Sequence, residues 1–198
     1  MTPDKILTTY EAVATAWNQQ RNTSLFEKHW LDRMMDHAPG KRVLDLGCGS
    51  GKPIASYLCE SGVKLTGVDG AKTMISLFEE NVPDARAVHA DMRGLDLGET
   101  FDAILAWNSF FHLDPNDQIR MFPVFQRHAA NGAALMFTSG HENGIAIGQV
   151  AGKPVYHASL SPNEYEKLLN EHGFTVRHFR QEDPECHSHT IWLAQLTP

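Results

Sequence analysis

Asp45, Gly47, Gly49 and Gly51 occupy alternate positions of the run 43–51, VLDLGCGSG. An acid followed by spaced glycines suits a tight turn whose bare backbone approaches a ligand closely, with Cys48 inside the turn. A second acid, Asp69, followed by Gly70, lies 18 residues past Gly51. That is near the ~20 residues that one βα unit places between such a loop and a carboxylate reaching a ribose. A third acid, Asp91, is followed by Met92 at the end of the next apolar segment. His112, His141 and His157 are the candidates for proton transfer, because imidazole titrates near neutral pH. His112 is equally readable as a polar residue capping or lining a turn. Asp183, Cys186, His187 and His189 are metal-ligand types, but they show no second pair at a recognised spacing. They read as a polar turn, and no metal is expected.

The ligand class follows partly by elimination. A phosphate loop needs glycine five positions before a Gly-Lys pair and Ser or Thr after it, whereas Leu46 and Pro53 stand there. A dinucleotide fingerprint needs Gly or Ala at the sixth position from Gly47, which is Lys52.

Elements that hold these residues can be read from periodicity. Strands are expected at 42–46, 64–68, 86–90, 101–106, 133–139, 175–180 and 190–196, alternating with helical segments as in βαβ units. Helices are expected at 53–60, where Pro53 suits a first turn, and at 71–81, with Met74 and Phe78 on one face. Another starts at Asp114-Pro115. A further one follows the capping box 161–164 and stops at Gly173. Segment 10–36 is amphipathic, so 1–38 is expected to be a helical cap or lid. Segment 141–160, with Ala151-Gly152 able to turn a hairpin, is a candidate insertion on the substrate side.

Bulk properties limit the partners. With 198 residues and 42% hydrophobic content, the chain forms a single domain, 1–198. A formal charge of -7 without a basic run argues against nucleic acid. There is no apolar run of spanning length and no signal-peptide pattern at the start, so a cytoplasmic protein without membrane contact is expected. Three cysteines at unrelated spacings agree with free thiols in a reducing compartment. A monomer or homodimer is expected.

The pattern D-x-G-x-G-x-G with an acid closing the second strand resembles the cofactor motif of class I S-adenosylmethionine-dependent methyltransferases, over most of the chain. The resemblance implies a Rossmann-like α/β fold of seven strands in order 3-2-1-4-5-7-6, strand seven antiparallel, with helices on both faces. It implies that the loop holds the methionine part of S-adenosylmethionine, that Asp69 accepts from both ribose hydroxyls, and that Asp91 and Met92 meet the adenine. Trp107 and Asn108, at the end of strand four, complete the expected cofactor set. The following Ser109-Phe110-Phe111-His112 departs from the Asn-Pro-Pro-Tyr of enzymes that methylate adenine or glutamine amides, which argues against those substrates.

Ligands of open α/β sheets bind outside the carboxyl ends of the strands. Phe111, Tyr156 and the N-terminal Tyr10, Trp17 and Arg21 are therefore expected around the acceptor, since aromatic faces favour a sulfonium-like cation. Aromatics at helical spacing are equally core positions. Cys48 lies inside the cofactor loop, which argues against thiol chemistry. The expected function is methyl transfer to a small molecule, releasing S-adenosylhomocysteine. Two alternatives remain: an inactive S-adenosylmethionine-binding sensor or partner, and an NAD-dependent oxidoreductase.

Overall fold

The computed structural model describes residues 1–197. Its main sheet is built from β1 (Arg42–Leu46), β2 (Lys64–Asp69), β3 (Arg86–His89), β4 (Phe101–Ala106), β5 (Ala129–Ser139), β8 (Phe174–Asp183) and β9 (His189–Leu196). The spatial order is β3-β2-β1-β4-β5-β9-β8. The first five strands are parallel, and β9 runs antiparallel to both β5 and β8. This is the order expected of the sheet, because β8 and β9 are its sixth and seventh strands. The chain reverses between β1 and β4, so the loops after these strands face one crevice at the carboxyl ends.

Pleating sends alternate residues of the central strands into two cores. Leu44, Leu46, Ile104, Leu135 and Phe137 face α5 (Pro115–His128) and α6 (Pro162–Glu171). Val43, Ala103, Leu105, Ala134 and Met136 face α2 (Lys28–His37), α3 (Ile54–Glu60) and α4 (Lys72–Asn81). Asp114 caps α5 by accepting from the Asn116 and Asp117 N–H groups, and Ser161 with Glu164 forms a complete capping box on α6.

Several boundaries differ from the sequence reading. Residues 10–36 form two helices, α1 (Ile6–Gln20) and α2. Arg21 is extended and Asn22 accepts from the Ser24 N–H, a local bond that competes with helix. Strand β5 starts at Ala129, since Asn131-Gly132 makes an irregularity against β4, with Gly132 at positive φ, and does not end the pairing. Pro53 precedes α3 and is not in its first turn. Segment 141–160 holds a separate hairpin, β6 (Gly144–Val150) and β7 (Lys153–Ser159), turned by Ala151 and Gly152 at positive φ. Among the described residues no helix is long and apolar enough to cross a membrane.

Gln118 locks this hairpin to the sheet. Fully buried on α5, it donates to the carbonyls of Leu113 (2.9 Å) and Ala158 (2.8 Å) and accepts from the Tyr165 hydroxyl (2.5 Å). Replacing it with Ala strands these groups without partners. Gln118→Ala is expected to cost about 2–4 kcal/mol in urea unfolding; a loss below about 1 kcal/mol would contradict this role.

Candidate active site

The glycine loop hangs from the end of β2: the N–H groups of Gly47 and Cys48 both donate to the Val68 carbonyl (2.8 and 3.1 Å). At Gly47, with φ of +76°, a Cβ would lie 2.2 Å from the Ser109 Cβ, so only glycine fits. Ser109 in turn donates to the Leu46 carbonyl at 2.6 Å, drawing the loop after β4 against the loop after β1. At Gly49, with φ of +54°, a Cβ would meet no protein atom within 4 Å. Its bare backbone opens directly onto a cavity of about 380 Å³.

Asp69 is the hinge of this arrangement. Its Oδ2 accepts from the Gly49 N–H (2.9 Å) and its Oδ1 from the Ala71 N–H (2.8 Å), bridging the loops after β1 and β2. Burial pushes its pKa up, against these two bonds. Asp45 is more perturbed: burial first, then repulsion from Asp69, raises it from the ordinary 3.8 to about 7, with Arg21 opposing. Asp91 stands at the same cavity in a fork with Arg93, which also donates to it through the backbone (2.9 Å). Burial would raise its carboxyl, but these bonds outweigh burial and hold it below the usual range.

Every residue proposed for the cofactor lines this one cavity: Asp45, Gly47, Cys48, Gly49, Gly51, Asp69, Gly70, Asp91, Met92, Trp107 and Asn108. Tyr10, Trp17, Arg21 and Phe111 of the acceptor set line it too, as do His112 and His157. Tyr156 does not. Its neighbours Val155 and His157 line the cavity, while Tyr156 itself does not and is buried in a cluster with Ile6, Val13, Val150 and Val155. His141 also lies elsewhere, in a shallower depression that shares Phe111 and His157 with the main cavity, and its nearest charges are Glu142 (3.6 Å) and Glu182 (3.9 Å).

The two cavity histidines differ in what their nitrogens can do. Nδ1 of His112 lies 2.8 Å from the Tyr156 carbonyl, an acceptor only, so Nδ1 carries the proton. Nε2 then accepts from the Tyr10 hydroxyl at 2.9 Å. Both nitrogens are engaged, and burial is the main cause that lowers the His112 pKa to about 4. His112 thus ties α1, the loop after β4 and β7 together as a neutral ring. His157 packs edge-on to Phe111 and close to His112, with ring centres 4.7 and 4.9 Å away. Burial lowers its pKa as well. Among the described residues neither of its ring nitrogens is held in a hydrogen bond, so one is free to accept. Gly148 gives this ring room: a Cβ there would sit 2.6 Å from the His157 Cε1.

Residues without a motif also line the cavity, Ser109 and His189 among them; the sequence places Ser109 only within the run 107–112 on the acceptor side, and the close approach at Gly47 gives it its role. His189 was grouped with the tail turn, yet its ring stacks on Trp107 at 5.6 Å and 17°.

Comparison with known proteins agrees with this geometry. Residues 43–132 match the family described as Methyltransferase domain. The chain is 33% identical over 105 residues to a cypemycin N-terminal methyltransferase from Streptomyces sp, covering 50% of this chain and 42% of that protein. It is 28% identical over 162 residues to a ubiquinone biosynthesis O-methyltransferase of Chromobacterium violaceum, covering 75% and 68%. The matches thus span about two-fifths to two-thirds of these curated relatives' length. Among solved structures, the CcbJ methyltransferase of Streptomyces caelestis superposes with a TM-score of 0.74 at 15% identity, over 94% of this chain and 96% of that one. The magnesium protoporphyrin IX methyltransferase of Synechocystis does so with 0.74 at 13% identity, over 98% and 97%. The chain is similar in sequence to methyltransferases over residues 43–132 and shares its fold with structures of the S-adenosylmethionine-dependent class.

The residues fit the cofactor of that class. A cationic ligand relieves the repulsion between Asp45 and Asp69, and the open face of Gly49 leaves space beside them.

Asp45 also sets a pH dependence on the ligand-free chain. Its folded pKa lies above the unfolded one, so its contribution to stability is full below about pH 4 and is lost as pH rises through about 7. Relative to Asp45→Asn, which stays neutral, the wild type is expected to lose up to about 1.4 kcal/mol per pH unit within that window. Parallel stability curves for the two proteins would contradict the assignment.

Proposed function

We propose that this chain transfers the methyl group of S-adenosylmethionine to a small, largely apolar acceptor, releasing S-adenosylhomocysteine. The observation that carries this reading is one cavity joining the acidic cradle of Asp45, Asp69 and Asp91 to a wall of Phe111, Val150, Val155 and His157. Asp69 is suited to accept from ribose hydroxyls, since its carboxylate is fixed by two backbone donors and still lines the cavity. The glycine loop faces the methionine part, and Asp91 with Met92 the adenine.

The cofactor supplies an electrophilic methyl on a sulfonium, whose electron pair stays on sulfur when the methyl leaves. The chain's part is alignment and exclusion of water, which can account for much of the rate in an in-line displacement. Tyr10 on α1, latched to His112, closes one side of the cavity. His157 takes the proton of an acceptor that arrives protonated, because its imidazole is neutral and has a free nitrogen. His112, neutral and bonded at both nitrogens, holds the frame.

Incubation with S-adenosylmethionine and panels of phenols, amines and thiols, read by mass spectrometry, tests the proposal. Acceptor-dependent release of S-adenosylhomocysteine and a methylated product is expected. His157→Gln should lower kcat by about 10²–10⁴-fold on a protonated acceptor while leaving cofactor affinity unchanged. Tight cofactor binding without turnover on any acceptor class would favour a sensor instead.

A further inference from the structure

A second cluster of chemically active side chains lies behind the cavity, where α2 meets the turn between β8 and β9. His29 on α2 reaches across the fold to Asp183 and Cys186, and one ligand atom from each lies within 4.8 Å of the others. The His29 Nε2 and Asp183 Oδ2 atoms are already 3.7 Å apart. Ligands around a tetrahedral zinc, with bonds of about 2.0–2.3 Å, stand roughly 3.3–3.8 Å from one another. The separations, all within 4.8 Å, therefore lie within about 1 Å of that range.

The surroundings have the character of a metal shell. Asp183 is oriented by two donors, the Trp30 indole N–H (2.8 Å) on Oδ2 and the Glu185 backbone N–H (3.1 Å) on Oδ1. Ligating carboxylates are held in this way by outer partners. Cys186 is a free and fully buried thiol. Glu27 is buried near the same thiol, and its Oε2 has no hydrogen-bond partner, but Arg21 and His187 are the positive groups that act on it.

We propose that His29, Asp183 and Cys186 bind a zinc ion, with a water as fourth ligand, stapling α2 to the β8–β9 turn. A mixed nitrogen, oxygen and thiolate set suits zinc better than magnesium or calcium, which take oxygen alone. Binding replaces the thiol proton by the metal and releases that proton to solvent. The staple sits next to the cofactor cavity, since His189, bonded to the Cys186 carbonyl, carries the ring that stacks on Trp107. It does not depend on the proposed methyl transfer.

Cobalt(II) titration of the tag-free chain, first stripped with a chelator, provides the test. The wild type is expected to take up one equivalent with a thiolate-to-cobalt charge-transfer band that zinc abolishes. Zinc at 100 times its Kd should raise Tm by roughly 5–10 °C. Cys186→Ser should lose the band, and His29→Asn, a change at an accessible position, should weaken uptake at least tenfold. Absence of the band in the wild type, or undiminished affinity in His29→Asn, would overturn the proposal.

Discussion

The Asp69 carboxylate, held between the Gly49 and Ala71 amides, is the contact on which the site depends. Those amides belong to the loops after β1 and β2, and neither loop has regular structure of its own to fix it. Together with the Val68 carbonyl and Ser109, this side chain sets where the glycine backbone meets the cavity. The cost is a buried carboxylate close to a second one, Asp45, with Arg21 opposing the charge at Asp45 and two backbone donors and His89 opposing it at Asp69. This concentration of negative charge distinguishes the cavity from a phosphate site and makes it a place for a cationic cofactor.

The acceptor side works by the opposite means. Burial keeps His112 and His157 neutral, and the hydrogen bonds of His112 fix its tautomer. The ring nearest strand four is thereby committed to tying α1, β4 and β7 together, while the ring on the hairpin keeps a nitrogen for chemistry. Acidic cradle and neutral wall meet in one volume because the sheet reverses between β1 and β4 and the Gln118 network holds the hairpin over that opening.

Much of this was legible in the sequence because it is local. The glycine loop, Asp69 and Asp91 each sit at or just past a strand end, and short apolar segments alternating with helical ones locate those ends within a residue or two. The strand order came from the family resemblance, since periodicity alone says nothing of neighbours. What stayed hidden depends on contacts across the chain. The silence of His112 comes from a carbonyl 44 positions away on the hairpin. Tyr156 turned from the cavity because strand alternation put Val155 and His157 on the other face, a parity that cannot be assigned until the hairpin is docked. The tail residues looked like a polar turn because His29, which completes their cluster, is more than 150 positions distant in sequence. The break between α1 and α2 was obscured by apolar positions that continue past it.

The central claim is that Asp69 joins the two loops and the cofactor at one carboxylate. Calorimetric titration of S-adenosylmethionine into the wild type and into Asp69→Ala measures this directly. Loss of charge-assisted bonds worth about 1.5–3 kcal/mol should weaken binding roughly 10- to 100-fold in a variant that remains folded. Equal affinity in the two proteins would contradict the account.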